Sequence, residues 1–181
     1  MAMFFPHPSP ASGHAMVFVD GENLAIRYGS MLKAKGIPVP GHVSYQPDTF
    51  VWSTTLNDIC WKGGVVRKYC YTSVVGDSNV ITQVEEKLKA AGIEAPRVFK
   101  KTKGRGSKRV DISLATDMMT HAARKNYEIA VLVAGDEDYV PLVEAVQGEG
   151  RRVFVWFVEE GLSPLLRRTA DRYSDIGEVL F

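Results

Sequence analysis

The sequence contains little cysteine and no long hydrophobic run. Its 181 residues include two cysteines, Cys60 and Cys70, which are too few for a disulfide framework and lack the spacing of metal ligands. No apolar run approaches the roughly 20 residues that a membrane-spanning helix needs. The first 15 residues contain no Lys or Arg, unlike a secretory signal peptide. These features argue against a disulfide-stapled or membrane-spanning protein and predict a reducing, cytoplasmic setting.

Three common signatures of catalytic or metal sites are also missing. The sequence contains no GxxxxGK[ST] phosphate-binding loop and no G-x-S-x-G nucleophile turn. Its four histidines show no ligand spacing. The sequence therefore gives no support for a P-loop nucleotide hydrolase, an α/β-hydrolase or a histidine-bound metal centre.

The chain is nearly neutral as a whole but has one strongly basic stretch. Hydrophobic residues make up 45% and charged residues 24% of the sequence, which is typical of a globular protein and excludes wholesale disorder. Seven of the 22 cations lie between residues 97 and 109, without any acid, so the rest of the chain has 15 positive and 21 negative residues. This cationic segment is either a solvated loop or a contact surface for a polyanion. Its cations are Arg97, Lys100, Lys101, Lys103, Arg105, Lys108 and Arg109.

Short apolar runs alternate with amphipathic segments along the chain. Continuous apolar runs such as AMVFV are typical of strands buried on both faces of a parallel sheet. Strands are predicted at 15–20, 65–71, 93–99, 129–134 and 153–158, and helices begin near 23, 78, 110, 139 and 164. Ser78 and Ser163 are the predicted N-caps of two helices, and the helix ending near residue 170 is predicted to be the last. The fold class is therefore α/β, a single domain over residues 15–181 with a mainly parallel central sheet flanked by helices.

Two stretches fall outside this alternation. Residues 1–14 are rich in Pro, Ser and His and are predicted to form a flexible leader. Residues 36–64 form an insertion that begins with a Pro- and Gly-rich loop. Asp48 is predicted to cap a helix in this insertion, with four inward-facing residues, Trp52, Leu56, Ile59 and Cys60.

Acidic residues follow two of the strongest apolar runs. Asp20 ends AMVFVD, and Asp136 follows IAVLVAG, with Asp138 two positions later. Ligand sites in open parallel sheets lie beyond the carboxyl ends of the strands, so these acids converge if their strands are neighbours. Clustered carboxylates raise one another's pKa unless a cation neutralises them, and oxygen-only ligands favour Mg²⁺ or Mn²⁺. The pattern predicts a divalent-cation site.

A third acid follows the cationic segment. Asp111 opens a helix, where it could be a metal ligand or a residue that complements the helix dipole. Asp117 lies six residues later, about 120° around the helix, so the two acids cannot both face one ion squarely. Asp117 is therefore predicted either to contact a metal ligand without binding the ion itself or to be a structural acid.

Three more residues near these acids are interpreted from their local sequence. Asn23, three residues after the first acid, is either a helix cap or a group that orients a carboxylate or phosphate. Glu22 is predicted to face solvent. Tyr139 is interpreted, with Trp52 and Trp61, as a packing residue, unless one of the three stacks on a base.

Four segments of the chain form a recognisable set, VFVDGEN, KRVDISLATDMMTHA, VLVAGDEDYVPLVEAVQGEGRRVFVW and SPLLRRTADRYSDI, and they extend over about residues 15 to 178. In this order they resemble the NYN domain family, whose members are relatives of the PIN-domain ribonucleases. The combination of D-G-x-N, K-x-V-D and A/S-G-D-x-D-[FY]-x-P-L is specific, although each part alone is weak. The resemblance implies a Rossmann-like PIN fold, and several proteins of this kind are metal-dependent endoribonucleases.

The resemblance also gives roles to individual positions. It implies a catalytic set made of Asp20, Asn23, Asp111, Asp136 and Asp138. Within this set, Asp20, Asp111 and Asp136 would hold Mg²⁺ or Mn²⁺, directly or through waters. Lys108 matches the lysine that precedes the helix acid.

The cationic segment is then expected to contact RNA. Positive charge beside an acidic centre would attract a backbone that the acids otherwise repel. Because phosphate contacts carry little sequence information, selectivity is expected to be modest or based on shape. The predicted nucleic-acid-binding residues are Lys103, Arg105, Lys108 and Arg109.

The favoured interpretation is a metal-dependent endoribonuclease acting on RNA, single-stranded RNA included, with a homodimer left open. One alternative is a non-catalytic RNA-binding or regulatory module that keeps the fold. Another is a phosphatase acting on small phosphate esters. The phosphatase ranks third because Asp20-Gly21-Glu22 replaces the D-x-D that aspartyl phosphatases use.

Overall fold

The computed structural model describes residues 13–58, 64–101 and 108–181. The strands in this part of the chain are β1 (Ala15–Asp20), β2 (Val43–Gln46), β3 (Phe50–Ser53), β4 (Val65–Val74), β5 (Ala95–Lys100), β6 (Ile129–Val133), β7 (Arg152–Phe157) and β8 (Arg172–Asp175). The helices are α1 (Gly21–Lys35), α2 (Ser78–Ala90), α3 (Lys108–Ala123), α4 (Val140–Gly148), α5 (Pro164–Thr169) and α6 (Gly177–Leu180), with short 3₁₀ turns at Thr54–Asp58, Glu137–Tyr139 and Glu159–Gly161. None of these helices is long and apolar enough to cross a membrane. Almost all of the predicted leader lies outside the described residues.

Six of these strands form one parallel sheet. Its order is β5-β4-β1-β6-β7-β8, and every neighbouring pair is parallel. Along the chain, β4 and then β5 are added on one side of β1. After α3, the strands β6, β7 and β8 are added in turn on the other side of β1. β1 and β6 are therefore neighbours where the strand order reverses, which is where open α/β sheets place their ligands. The predicted α/β fold is confirmed.

Helices cover both faces of this sheet because its central strands are almost entirely apolar. Every residue of β1 and of β6 is buried. Alternate side chains of a strand point to opposite faces, so Val17 and Val19 pack in the core under α1 and α2, whereas Met16 and Phe18 pack under α3 and α4. The strands are thus held on both faces, and the residues at their carboxyl ends are fixed in position.

Within the insertion at residues 36–64, residues 43–53 form a hairpin where a helix was predicted to begin. β2 and β3 pair antiparallel across a turn at residues 47–49. Asp48 has a positive φ of 53°, which Asp tolerates better than most residues, so it shapes this turn and caps no helix. All of β3 is buried and packs against α1, in agreement with the strand preference of its aromatic and β-branched residues. Ile59 and Cys60, predicted to face inward, lie outside the described residues.

The helix ends agree with the predictions at Ser163 and differ at two other places. The Ser163 hydroxyl caps α5 as predicted. α2 is capped by Asp77, whose carboxylate accepts two backbone hydrogen bonds, and the predicted cap Ser78 is its first residue. α5 is not the last helix, because β8 and then α6 follow it. The four residues of α6 are too few to show a helical period, although Leu180 is fully buried.

Candidate active site

Asp20 ends β1 and lies buried at the carboxyl edge of the sheet, with 4% of its surface exposed. It is also the N-cap of α1, because its Oδ1 accepts a hydrogen bond from the Asn23 backbone N–H at 3.0 Å. Its Oδ2 accepts a hydrogen bond from the Tyr139 hydroxyl at 2.8 Å. A strand that runs directly into a helix cap, with both oxygens held, gives this carboxylate one fixed orientation.

The Tyr139 hydroxyl brings a second carboxylate to the same point. The tyrosine is buried, and its hydroxyl oxygen lies 3.3 Å from Oδ1 of Asp111, which is in the first turn of α3. Asp20 and Asp111 therefore share one hydroxyl group, although they come from distant parts of the chain.

Burial and repulsion leave the negative charge of this site unbalanced. Burial raises the pKa of Asp20 to about 7, although its two hydrogen bonds act in the opposite direction. Burial also raises the pKa of Asp111, and repulsion from neighbouring acids adds to the effect. These neighbours are Asp136, Glu22 and Asp138. A cation bound between the acids would favour their charged forms and lower both pKa values.

Asp136 and Asp138 lie in the loop that follows β6, and both are exposed. Asp136 accepts a hydrogen bond from the Asp138 backbone N–H at 3.2 Å and so caps the turn that leads into α4. Asn23 ties this loop to α1, because its Oδ1 accepts a hydrogen bond from the Gly135 N–H at 2.9 Å. Because β1 and β6 are neighbours, Asp20 and Asp136 lie at the same edge of the sheet.

Glu22 is buried, so the prediction that it faces solvent is wrong. It is 5% exposed, and its Oε1 accepts a hydrogen bond from the Ser73 backbone N–H at 2.9 Å and another from the Ser73 hydroxyl. Its Oε2 lies 3.5 Å from Nζ of Lys101. Glu22 therefore joins the start of α1 to the ends of β4 and β5.

Asp117 makes its contacts away from the other acids. Its Oδ2 accepts a hydrogen bond from the Tyr71 hydroxyl at 2.8 Å and lies 3.8 Å from Nε of Arg97. This placement follows from the angle of about 120° between Asp111 and Asp117 around the helix. The contacts fit a structural acid that joins α3 to β4 and β5.

Only part of the cationic segment lies within the described residues. Lys103, Arg105 and the side chain of Lys108 fall outside them. Arg109 is exposed, and the centre of its guanidinium lies 4.7 Å from the centre of the Phe99 ring, a cation–π contact. Arg109 lies in the first turn of α3, which also holds Asp111.

The segments that build this site match a known family. A sequence profile of the NYN domain matches residues 14–177, which is nearly the whole chain. The chain belongs to the NYN domain family. The resemblance predicted from the four segments is thereby confirmed.

The fold of this NYN domain also occurs in a solved structure. The crystal structure of a protein of unknown function from Vibrio parahaemolyticus superposes with a TM-score of 0.68 at 20% sequence identity, covering 96% of this chain and 99% of the other. At this identity the similarity shows the fold alone. No curated protein matches the chain.

The acids of the NYN domain are oxygen ligands of the kind that Mg²⁺ and Mn²⁺ prefer. Among the described residues, no three acidic, histidine or cysteine side chains form a ready-made metal cage. Mg²⁺ does not require such a cage, because it usually keeps several waters and binds through one or two carboxylates together with substrate phosphates. Asp20 and Asp111, which meet at the Tyr139 hydroxyl, provide such a pair. The residues therefore fit the ion in chemistry and in number.

Sequence reasoning missed the roles of Tyr139 and Glu22. The Tyr139 ring is buried, as expected of a packing residue, but its hydroxyl joins two acids. A tyrosine that directly follows D-E-D signals this role, because a buried tyrosine hydroxyl needs a polar partner. Glu22 lies two residues after a strand that is buried on both faces, and this position is itself a sign of burial.

Proposed function

We propose that this NYN domain is a Mg²⁺- or Mn²⁺-dependent endoribonuclease that hydrolyses phosphodiester bonds in single-stranded RNA. The observation that supports this most is the meeting of Asp20 and Asp111 at one buried hydroxyl, at the edge of the sheet where β1 and β6 are neighbours. Unbalanced carboxylates at a ligand-binding edge are what a divalent-cation site requires. PIN-like nucleases share this fold.

Each residue of the site would have a distinct role in binding the metal ion. Asp20 and Asp111 would hold the ion, with Asp136 as the third ligand of the predicted set. A bound Mg²⁺ or Mn²⁺ supplies an acidified water and stabilises charge on the attacked phosphate. Tyr139 keeps the first two carboxylates in place, and Asn23 fixes the loop that holds Asp136 against α1.

The cationic segment would supply the attraction for RNA. The acids repel a polyanion, so positive charge is needed beside them. Arg109 meets this need from the first turn of α3, two residues before Asp111, and the remaining proposed contacts are Lys103, Arg105 and Lys108. All the acids come from one chain, so this proposal does not call for a homodimer.

Purified protein is expected to cleave an end-labelled single-stranded RNA in Mn²⁺ and to leave it intact in excess chelator. Asp136→Asn should lower the cleavage rate by roughly 10² or more, because several kcal/mol of metal-assisted stabilisation is worth that factor. Asp136 is exposed, so the variant should fold normally. Glu86→Gln, which removes an exposed acid on α2, is the matched control and should cleave like the wild type.

Two outcomes of this assay would contradict the proposal. Retardation of the RNA without product at any Mn²⁺ concentration would favour the non-catalytic RNA-binding module. Hydrolysis of p-nitrophenyl phosphate without cleavage of RNA would favour the phosphatase.

A further inference from the structure

A cleft opens beside the acids on the side of α1, and the proposed chemistry does not use it. It has a volume of about 440 Å³ and lies between α1, the loop after β6 and the turn at Glu159–Gly161. Asn23 and Asp136 line it, so it is continuous with the acidic site. This volume lies within the usual range of small-ligand sites, roughly 300–1,000 Å³.

Arg27 forms one side of this cleft. It lies four residues after Asn23 and so on the same face of α1. Its side chain passes directly over Gly161, where a Cβ would collide with it, so the glycine is what lets the arginine approach this turn. Arg27 is exposed, and within the described residues no carboxylate lies within 4 Å of its guanidinium. The part of the guanidinium that does not lie against Gly161 is therefore open to a ligand.

The charge of the cleft favours a neutral ligand that has hydrogen-bond donors. Among the described lining residues, Arg27 is the one cation, and it is outnumbered by the carboxylates of Asp136, Glu137 and Glu160. A phosphate placed here would meet a net negative wall. A nucleoside would not, because its base and ribose are uncharged and present N–H and O–H groups that carboxylates accept.

We propose that this cleft binds one unpaired ribonucleoside of the RNA substrate, next to the phosphate that is hydrolysed. The identity of the polymer rests on the proposed function, whereas the preference for a nucleoside rests on the cleft itself. Arg27 would stack on the base, as guanidinium planes do on exposed bases. Glu160 would accept a hydrogen bond from the ribose 2′-hydroxyl, which is the group that distinguishes RNA from DNA.

The test is direct binding of the free nucleosides adenosine, cytidine, guanosine and uridine, measured by saturation-transfer NMR without metal. At least one should give a clear signal with the wild type, and its 2′-deoxy form a weaker one. Arg27→Ala should reduce the signal at least fivefold, and Glu160→Gln should reduce the difference between the ribose and deoxyribose forms. Arg124→Ala is the matched control, because Arg124 is also exposed but follows the carboxyl end of α3.

A kinetic measurement separates this inference from the proposed nuclease activity. If RNA is cleaved, Arg27→Ala should raise KM for single-stranded RNA roughly tenfold, the order expected when one base loses its stacking partner, with kcat nearly unchanged. Absence of binding by every nucleoside, or binding unchanged in Arg27→Ala, overturns the inference even if RNA is cleaved. Nucleoside binding that depends on Arg27, in a protein that cleaves no RNA, supports the proposed nucleoside site in the cleft and contradicts the proposed nuclease activity.

Discussion

Asp20→Asn is expected to abolish RNA cleavage and, at the same time, to make the protein more stable above pH 7. The loss of activity should be roughly 10³-fold or more, since a direct ligand of the ion contributes several kcal/mol. The gain in stability follows from the burial of Asp20, which raises its pKa to about 7 from an ordinary value of 3.8. The two effects have one cause, because the unfavourable burial of a charge is what prepares this carboxylate for a cation.

The sign of the stability change depends on pH. A raised pKa means that the folded protein binds the Asp20 proton more tightly than the unfolded chain does. The stabilisation that the Asp20 proton gives the folded protein is therefore complete below pH 3.8 and is lost as the pH rises through about 7. The asparagine side chain does not titrate in this pH range. The free energy of unfolding of the variant should therefore exceed that of the wild type by up to about 4 kcal/mol at pH 8 and equal it near pH 4.

Thermal unfolding at pH 4.5 and pH 8, without added metal, measures this difference. The Asp20→Asn variant should have the higher melting temperature at pH 8 and nearly the same one at pH 4.5. Glu86→Gln should follow the wild type at both pH values. Cleavage that survives in Asp20→Asn, or a variant less stable than the wild type at pH 8, would contradict the proposed state of this carboxylate.

Glu22→Ala is expected to lower the free energy of unfolding by about 3 kcal/mol. The substitution removes the acceptor for the Ser73 backbone N–H and hydroxyl, both of which are buried, and each unsatisfied buried group costs about 1–3 kcal/mol. The ion pair with Lys101 contributes less to the free energy of unfolding, because the side chain of Lys101 is 35% exposed and its ammonium group can be solvated instead. The hydrogen bonds to Ser73 should therefore dominate the loss.

Glu22→Gln separates the two contributions. Glutamine keeps an oxygen that Ser73 can donate to but removes the charge that faces Lys101. Its expected cost is about 1 kcal/mol, and urea unfolding of the two variants beside the wild type measures both values. Equal losses in Glu22→Ala and Glu22→Gln would show that the ion pair, rather than the hydrogen bonds, makes Glu22 important.

The sheet and the positions of the main acids could be predicted because they depend on local patterns. Continuous apolar runs such as AMVFV fit a strand buried on both faces, and the acids that follow them fall at the ligand-binding edge whenever the strands are neighbours. The prediction that Asp20 and Asp136 lie close together required only that β1 pair with β6, as it does. Asp111 was already a candidate from its position at the start of a helix, and the family resemblance favoured the role of metal ligand over that of a residue that complements the helix dipole.

The hairpin and the buried contacts could not be predicted in the same way. Trp52 and Leu56 recur at a helical spacing, yet Trp52 lies in β3, which packs against α1, and Leu56 lies in the 3₁₀ turn that follows. Glu22 has a buried partner in Ser73 only because β4 extends past the start of α1. Tyr139 reaches two acids from separate elements. Such contacts depend on tertiary structure, which overrides local preference.

Binding of Mn²⁺ to the protein without RNA is the most direct test of the acidic site. Calorimetric titration at pH 8, above the pKa of Asp20, should show Mn²⁺ binding by the wild type and by Glu86→Gln. In Asp20→Asn and in Asp111→Asn the affinity should fall at least tenfold. Mn²⁺ binding that is equally strong in all four proteins, or absent from the wild type, would show that these carboxylates do not hold the ion.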